Sequence, residues 1–424
     1  YLSLMKEHEP GEGKLFGSIG EIEAALEGFL RRAGGALASG GVHTPNHRWV
    51  VCQALAQLHE LYPDPRYPRR IDQWLAEGID IDQDGQYDER STTIYNPVTN
   101  RALIVTAVKQ KRPELFDPVR RNLDALLYLL HPGGEVVTEI SRRQDQYLPG
   151  DAGRSWFALR YMAAKDGNGQ WMTLARQLEE RFATLPDVME FAELRAPGPT
   201  PAALPENYER TFSAARIHRI RRGRTSATIL LANGDSLLFT LRRGDAVIGG
   251  VRFASAFFGK AQFVPTAAER SGRGWRLSQD LEGPYFQPLE DRKVAAGEWE
   301  RVRPLRRQTE VARLRQVAEI QETQRGLRLR VQVEGADRVP LAIEINVREG
   351  VRIEGARPLS PGVFLLEQGV ATLRAGTDAI RIGPGAAPHQ YVSVRGALPR
   401  IPGQTLYLTG YTPFDHTIDF EALA

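Results

Sequence analysis

The spacing of apolar residues changes once along this chain, and that change limits the folds open to it. Val51, Leu55, Leu58 and Tyr62 recur three or four apart, which places them on one face of an α-helix. Leu123, Leu126, Leu127 and Leu130 repeat the spacing, as does the stretch from Trp156 to Met162. Short loops between such patterns suggest antiparallel helical pairs. The run Ala196-Pro197-Gly198-Pro199-Thr200-Pro201 ends the series and reads as a linker. Beyond it the period is two. Residues 215–220, 225–231, 236–241, 327–333, 341–347, 362–366, 379–382, 391–394 and 405–408 read as strands. Turn signals such as Asn233-Gly234-Asp235 and Arg243-Gly244-Asp245 separate them. The expectation is an α+β multidomain chain: an α-helical domain over 1–195, a Pro-rich linker over 196–208, and an antiparallel β-sandwich or stacked sheets over 209–424. One break falls inside the helical half. Residues 133–140 read as a short strand or extended loop. They run into Ser141-Arg142-Arg143-Gln144-Asp145-Gln146-Tyr147, a stretch too rich in hydrogen-bonding groups for a core.

A length of 424 residues exceeds one ordinary core. No apolar run approaches a membrane span. The 55 basic and 52 acidic residues leave a net charge of +3, too small for a dedicated nucleic-acid binder. Cys52 is the only cysteine, so no intrachain disulfide forms, and its place in an apolar helical pattern makes it a small core residue. The first residue is Tyr1 rather than Met. That is expected of a chain whose leader has been removed or whose upstream part lies outside this numbering.

Chemistry concentrates in the first hundred residues. In Thr44-Pro45-Asn46-His47-Arg48-Trp49, Thr44 suits an N-cap and Pro45 the first helical position. Asn46 and His47 then fall in the first turn. An amide there can donate to a carboxylate, and an imidazole can take or give a proton. Tyr95 follows, just before the helical pattern of Ala102, Leu103 and Val105. Its neighbours Ser91, Thr92, Thr93, Asn96 and Asn100 make a polar setting for an aromatic residue. Arg48, Arg101, Arg142 and Arg143 add positive charge on nearby segments. Taken singly, Asn46 and His47 read first as caps and Tyr95 as a packed aromatic, and any of the arginines reads as a solvated charge. A second pattern overlaps the first. Asp80-Ile81-Asp82-Gln83-Asp84-Gly85, with Asp88 in the ninth place, has the form of a calcium loop. Ser91 stands in the twelfth place, where a full loop has Glu. The two readings are a structural Ca²⁺ held by Asp80, Asp82, Asp84 and Asp88, and an acidic turn whose aspartates cap the surrounding segments.

Asn46-His47, then Asp84-Gly85-Gln86-Tyr87-Asp88-Glu89-Arg90-Ser91-Thr92-Thr93-Ile94-Tyr95, resemble the paired motifs of the heparinase II/III-like polysaccharide lyases, which include alginate lyases of the same architecture. That family joins an N-terminal α/α toroid to antiparallel sheets. The resemblance implies β-elimination beside a uronic acid. Asn46 would neutralise the carboxylate, and His47 and Tyr95 would serve as general acid and base in an unassigned order. Arg48, Asn96, Asn100, Arg142 and Arg143 would contact the sugar chain. No cofactor is required for this chemistry, the partner is an acidic polysaccharide or oligosaccharide, and the location is periplasmic or secreted.

The chain also departs from the family. Its helical part is short for a toroid, so the toroid is incomplete, or is completed by upstream residues, a homo-oligomer or a second chain. The family's further histidine has no clear counterpart; His218, His389 and His416 are the candidates. Phe257-Phe258-Gly259-Lys260 and Glu282-Gly283-Pro284-Tyr285-Phe286 suggest a divergent branch with its own substrate. Two other functions fit the same pattern. One is a glycoside hydrolase using carboxylates among Asp84, Asp88 and Glu89; the other is a non-catalytic glycan-binding protein.

Overall fold

The computed structural model describes residues 19–289 and 293–423, so the first eighteen residues of the expected helical half lie outside the described residues. Two compact units emerge. One runs to Glu206 and takes in Ser213–Ala215; the other holds Asn207–Phe212 and the chain from Arg216 onward.

The helical unit contains α1 (Ile19–Ser39), α2 (Pro45–Leu61), α3 (Arg66–Ala76), α4 (Tyr95–Gln110), α5 (Phe116–Leu127), α6 (Trp156–Asp166), α7 (Gly169–Phe182) and the short α8 (Leu185–Glu190) and α9 (Ala192–Arg195). Their ends follow local rules. Pro45 takes the first position of α2 behind an extended Thr44, where its missing N–H costs nothing. The expected Thr44 side-chain cap does not form: no cap hydrogen bond is made, and its buried hydroxyl has no partner among the described residues. Asn168 is a working cap, accepting the amides of Gln170 and Trp171. Gly167, at φ +69°, ends α6 in the left-handed conformation.

The apolar stripes meet in one core holding Trp49, Leu55, Ile71, Leu103, Leu123 and Trp156. Cys52 lies in it as expected, and burial pushes its thiol up to about 12, which leaves it inert as a nucleophile. Residues 133–140 form no regular strand. They are pinned by isolated bridges, Leu130 to Val136 and Glu135 to Asp151. The Pro-rich segment is held against α7: Ala202 donates its amide to Gly169 O at 3.0 Å, and Thr173 donates to Ala202 O.

The sheet unit has β1 (Asn207–Phe212), β2 (Ile217–Arg222), β3 (Thr225–Leu230), β4 (Phe239–Arg243), β5 (Ala246–Ser255), β6 (Ala267–Ser271), β7 (Gly274–Phe286), β8 (Gln308–Thr323) and β9 (Gly326–Gly335). It continues with β10 (Pro340–Val347), β11 (Arg352–Glu354), β12 (Arg357–Ser360), β13 (Val363–Leu365), β14 (Ala371–Ala375), β15 (Asp378–Gly383), β16 (Gln404–Tyr411) and β17 (Phe414–Leu423). One sheet is ordered β1-β2-β3-β4-β5-β10-β16-β13-β12 and the other β11-β14-β15-β17-β9-β8-β7-β6. Pairing is antiparallel except for β13 on β16, which is parallel. Tyr391–Val394, expected as a strand, is loop. The sheets share one apolar core. Phe239 on one sheet meets Phe420 on the other edge to face, centroids 5.1 Å apart.

His218 on β2 is buried beside Trp275 and bonded through Nδ1 to the Thr211 hydroxyl at 2.8 Å. Burial, aided by the positive charge of Arg270, lowers its pKa from 6.5 to about 4. Within that window the unfolded chain binds a proton that the fold refuses, so stability falls as pH drops from 6.5 towards 4.

Two outcomes are expected. Phe239→Ala, which opens a cavity between the sheets, lowers stability by about 3–5 kcal/mol, read as a lower denaturant midpoint. His218→Gln makes the loss of stability between about pH 6.5 and pH 4 shallower than in the parent, read by urea titration across that range.

Candidate active site

The loop before α4 is built on hydrogen bonds the motif supplies locally. Gly85 adopts φ +81°, and a Cβ there would run into the backbone oxygen of Arg121, so glycine is required on both counts. Asp82 accepts the amides of Asp84 and Gln86 at 2.9 and 3.0 Å. Tyr87 lies buried beneath and donates to Asn100 Oδ1 at 2.8 Å; Asn100 in turn donates to Asn122 at 2.8 Å. Burial holds the Tyr87 phenol well above its ordinary value. Of the two motif tyrosines, the half-buried Tyr95 is the one open to solvent.

The start of α4 is set by Ser91, whose hydroxyl accepts the amide of Tyr95 at 3.1 Å and donates to Asp145 at 2.8 Å. The same carboxylate accepts from Thr93 at 2.6 Å and from Ser141. Asp145 is buried and ties the loop over 141–146 to the start of α4.

A polar cluster is assembled on this frame. Asn46, buried in the first turn of α2, donates its side-chain amide to Glu89 Oε2. The other oxygen of Glu89 lies 3.4 Å from Arg143 Nε. The Arg143 guanidinium sits 5.2 Å from the centre of the Tyr95 ring, a cation–π arrangement. Gln144 donates to the Tyr95 hydroxyl at 2.8 Å. Asn46, Glu89, Arg143, Tyr95 and Gln144 therefore form one connected set drawn from three segments. His47 follows Asn46 directly, with an exposed ring that makes no hydrogen bond among the described residues.

Other expected site residues are engaged elsewhere. Arg48 pairs with Asp80 at 2.9 Å and Glu77 at 3.1 Å and stacks on Trp49. Arg142 pairs with Asp88 at 2.7 Å. Asn100 is committed to Tyr87 and Asn122. Asn96 is buried and donates to Gln86 at 2.9 Å, while its Oδ1 has no partner among the described residues. Of the candidate histidines, His218 bonds Thr211, His389 bonds Gly410 O at 2.8 Å, and His416 bonds Pro384 O at 2.9 Å.

Each aspartate of the acidic loop meets donors of the protein itself. Asp80 accepts from Arg48 and from the Trp49 indole. Asp82 pairs with Arg90 at 3.2 Å. Asp84 accepts the amides of Ala214 and Ala215, and Asp88 takes Arg142. Among the described residues no group of three or more His, Cys, Asp or Glu is placed to hold a metal ion. The carboxylates go to separate donors, arginines for Asp80, Asp82 and Asp88 and backbone amides for Asp84.

Glu89, Gln144 and Asp145 were not singled out in the sequence as parts of an elimination site. A signal existed for each. Glu89 lies inside the quoted motif, and the other two lie in the 141–147 stretch whose polarity is otherwise unexplained.

No family model matches the chain, and no curated protein matches its sequence. Its fold is that of solved polysaccharide lyases. Heparinase III aligns over 100% of this chain and 72% of its own length, at TM-score 0.50 and 12% identity. A heparan sulfate lyase mutant from Pedobacter heparinus aligns over 96% and 65%, at 0.52 and 12%. Another heparinase III gene product aligns over 95% and 63%, at 0.53 and 8%. This chain spans less than two thirds of the latter two proteins. At such identities the likeness is one of fold: helices followed by two large sheets.

Asp145→Ala, which leaves three hydroxyls without their acceptor, is expected to lower stability by about 2–3 kcal/mol. Thermal and urea unfolding measure it. Hydrogen exchange should rise first at the amides opening α4.

Proposed function

We propose that this protein is a polysaccharide lyase that cleaves a uronate-containing chain by β-elimination. The observation that carries the reading is the connected set of Asn46, Glu89, Arg143 and Tyr95 beside the exposed His47. Eliminative cleavage needs a donor for the uronate carboxylate, which stabilises the carbanion-like charge once the neighbouring C–H is broken. It also needs one group to remove that proton and one to protonate the departing glycosidic oxygen.

The side chains offer each part. The Asn46 amide nitrogen carries two hydrogens, of which Glu89 takes one. Glu89 thereby orients the amide, and the second hydrogen is left for a substrate carboxylate. Arg143 brings a positive charge to the same place. The Tyr95 hydroxyl, held by Gln144, and the His47 ring share the two proton transfers. As written, the elimination draws only on side chains of this protein. Fold likeness to heparinase III and to heparan sulfate lyase supports the reaction class. The helices are read as part of an α/α toroid, the substrate as an acidic glycan, and the location as periplasmic or secreted.

The test is incubation of the protein with a panel of uronate polymers while following ultraviolet absorbance. The expected result is growth of the band of an unsaturated uronate. Tyr95→Phe is expected to lower the rate by about 10²–10⁴-fold while leaving the unfolding midpoint in place. Release of saturated sugars without a new chromophore would indicate hydrolysis and sink this reading. So would unaltered turnover in Tyr95→Phe.

A further inference from the structure

Two segments of the sheet unit that stand out in the sequence are brought together by the fold. Phe257, Phe258, Gly259 and Lys260 form a four-residue turn closed by the Lys260 amide on Phe257 O at 2.8 Å. Phe258 and Gly259 have φ of +49° and +71°, the signs of a type I′ turn. Asn-Gly is the usual pair there, because a bulky side chain in the left-handed region strains the backbone. A phenylalanine in that place calls for a compensating use, and burial supplies only part of one, since Phe258 is 46% exposed.

The second segment is shaped to receive that ring. A Cβ at Gly283 would overlap the Phe258 ring, so the missing side chain on β7 makes its seat. Tyr285, two residues on, meets Phe258 edge to face at 5.3 Å and is itself 52% exposed. Lys260 donates its ammonium to Glu282 O at 3.0 Å, which fixes the charge beside the rings and leaves two of its hydrogens free. The Glu282 carboxylate is engaged by Arg313 at 3.3 Å. Glu310 lies opposite Tyr285 in the strand register. The backbone of Gly396 packs on Gly259, which brings the neighbouring, exposed Arg395 to the turn. Lys260, Arg313 and Arg395 against Glu282 and Glu310 leave the surroundings positive.

Two exposed rings with a fixed ammonium match a uronate sugar. The C–H face of a pyranose carries partial positive charge and packs on the negative face of an aromatic ring, and the carboxylate pairs with the cation. We propose that Phe258, Tyr285 and Lys260 form a sugar-binding subsite on the sheet unit that takes one uronate residue of an acidic glycan chain. It rests on the lyase reading only for the choice of ligand.

The test is titration calorimetry of the whole protein in a Tyr95→Phe background, which limits turnover. The probes are a long oligouronate and a neutral oligosaccharide of equal length. Phe258→Asn keeps a residue suited to the turn, so the melting temperature is expected to hold or rise, while affinity for the oligouronate falls about tenfold. Tyr285→Ala should weaken it likewise, and Lys260→Gln should weaken the acidic probe alone. Undiminished oligouronate affinity in Phe258→Asn overturns the proposal. Equal binding of the neutral probe also overturns it, as does a sedimentation shift showing that the rings instead join two copies of the chain. Failure here with eliminative turnover intact leaves the lyase reading standing. Ring-dependent binding, with no turnover by the parent protein carrying Tyr95, sinks the lyase reading and keeps the subsite.

Discussion

The candidate site depends on one buried carboxylate. Asp145 accepts three hydroxyls, from Ser91, Thr93 and Ser141. A buried charge must be met by hydrogen bonds, or the fold bears its desolvation. Meeting it locks the loop over 141–146 to the start of α4. Everything that touches Tyr95 follows from that lock. Arg143 and Gln144 reach the tyrosine because they immediately precede Asp145, and Ser91 serves both the carboxylate and the Tyr95 amide. Glu89 also joins two groups: its Oε2 takes the Asn46 amide, and its Oε1, which accepts no hydrogen bond among the described residues, lies 3.4 Å from Arg143 Nε.

Charge is spent mostly on structure. The helical unit's arginines look like substrate ligands when read along the sequence, yet Arg48 and Arg142 neutralise the acidic loop beside them. On the sheet unit Arg328 and Arg330 are bidentate to Asp419 and Asp415. Such exposed pairs add little stability.

Helices were legible where an apolar stripe was long. The α2 and α5 patterns faced the core as their spacing required, and the strands over 225–230 and 340–347 are buried along nearly their whole length. β7 and β8 were missed because they are long, polar and partly exposed, and their charged residues pair across the register instead of facing a core. Residues 391–394 alternate as Tyr-Val-Ser-Val, the pattern of a strand, but no strand among the described residues pairs with them. The calcium-loop spacing records which carboxylates are near in sequence and says nothing of which donors surround them. At Thr44 the residue type and position suit a cap, yet its side chain makes no cap hydrogen bond.

The sequence by itself determined the order of the two halves, the glycine at the Gly85 turn and the local pairing of Asn46 with His47 at one helix start. These rest on backbone sterics and short-range periodicity, which adjacent residues settle among themselves. The tertiary structure decided which polar groups meet. It gave Asn46 to Glu89, Arg143 to Tyr95, Asp145 to three hydroxyls and Phe258 to the vacancy at Gly283. Those partners are separated by loops whose path depends on desolvation and packing over the whole unit, so no spacing in the chain could have named them.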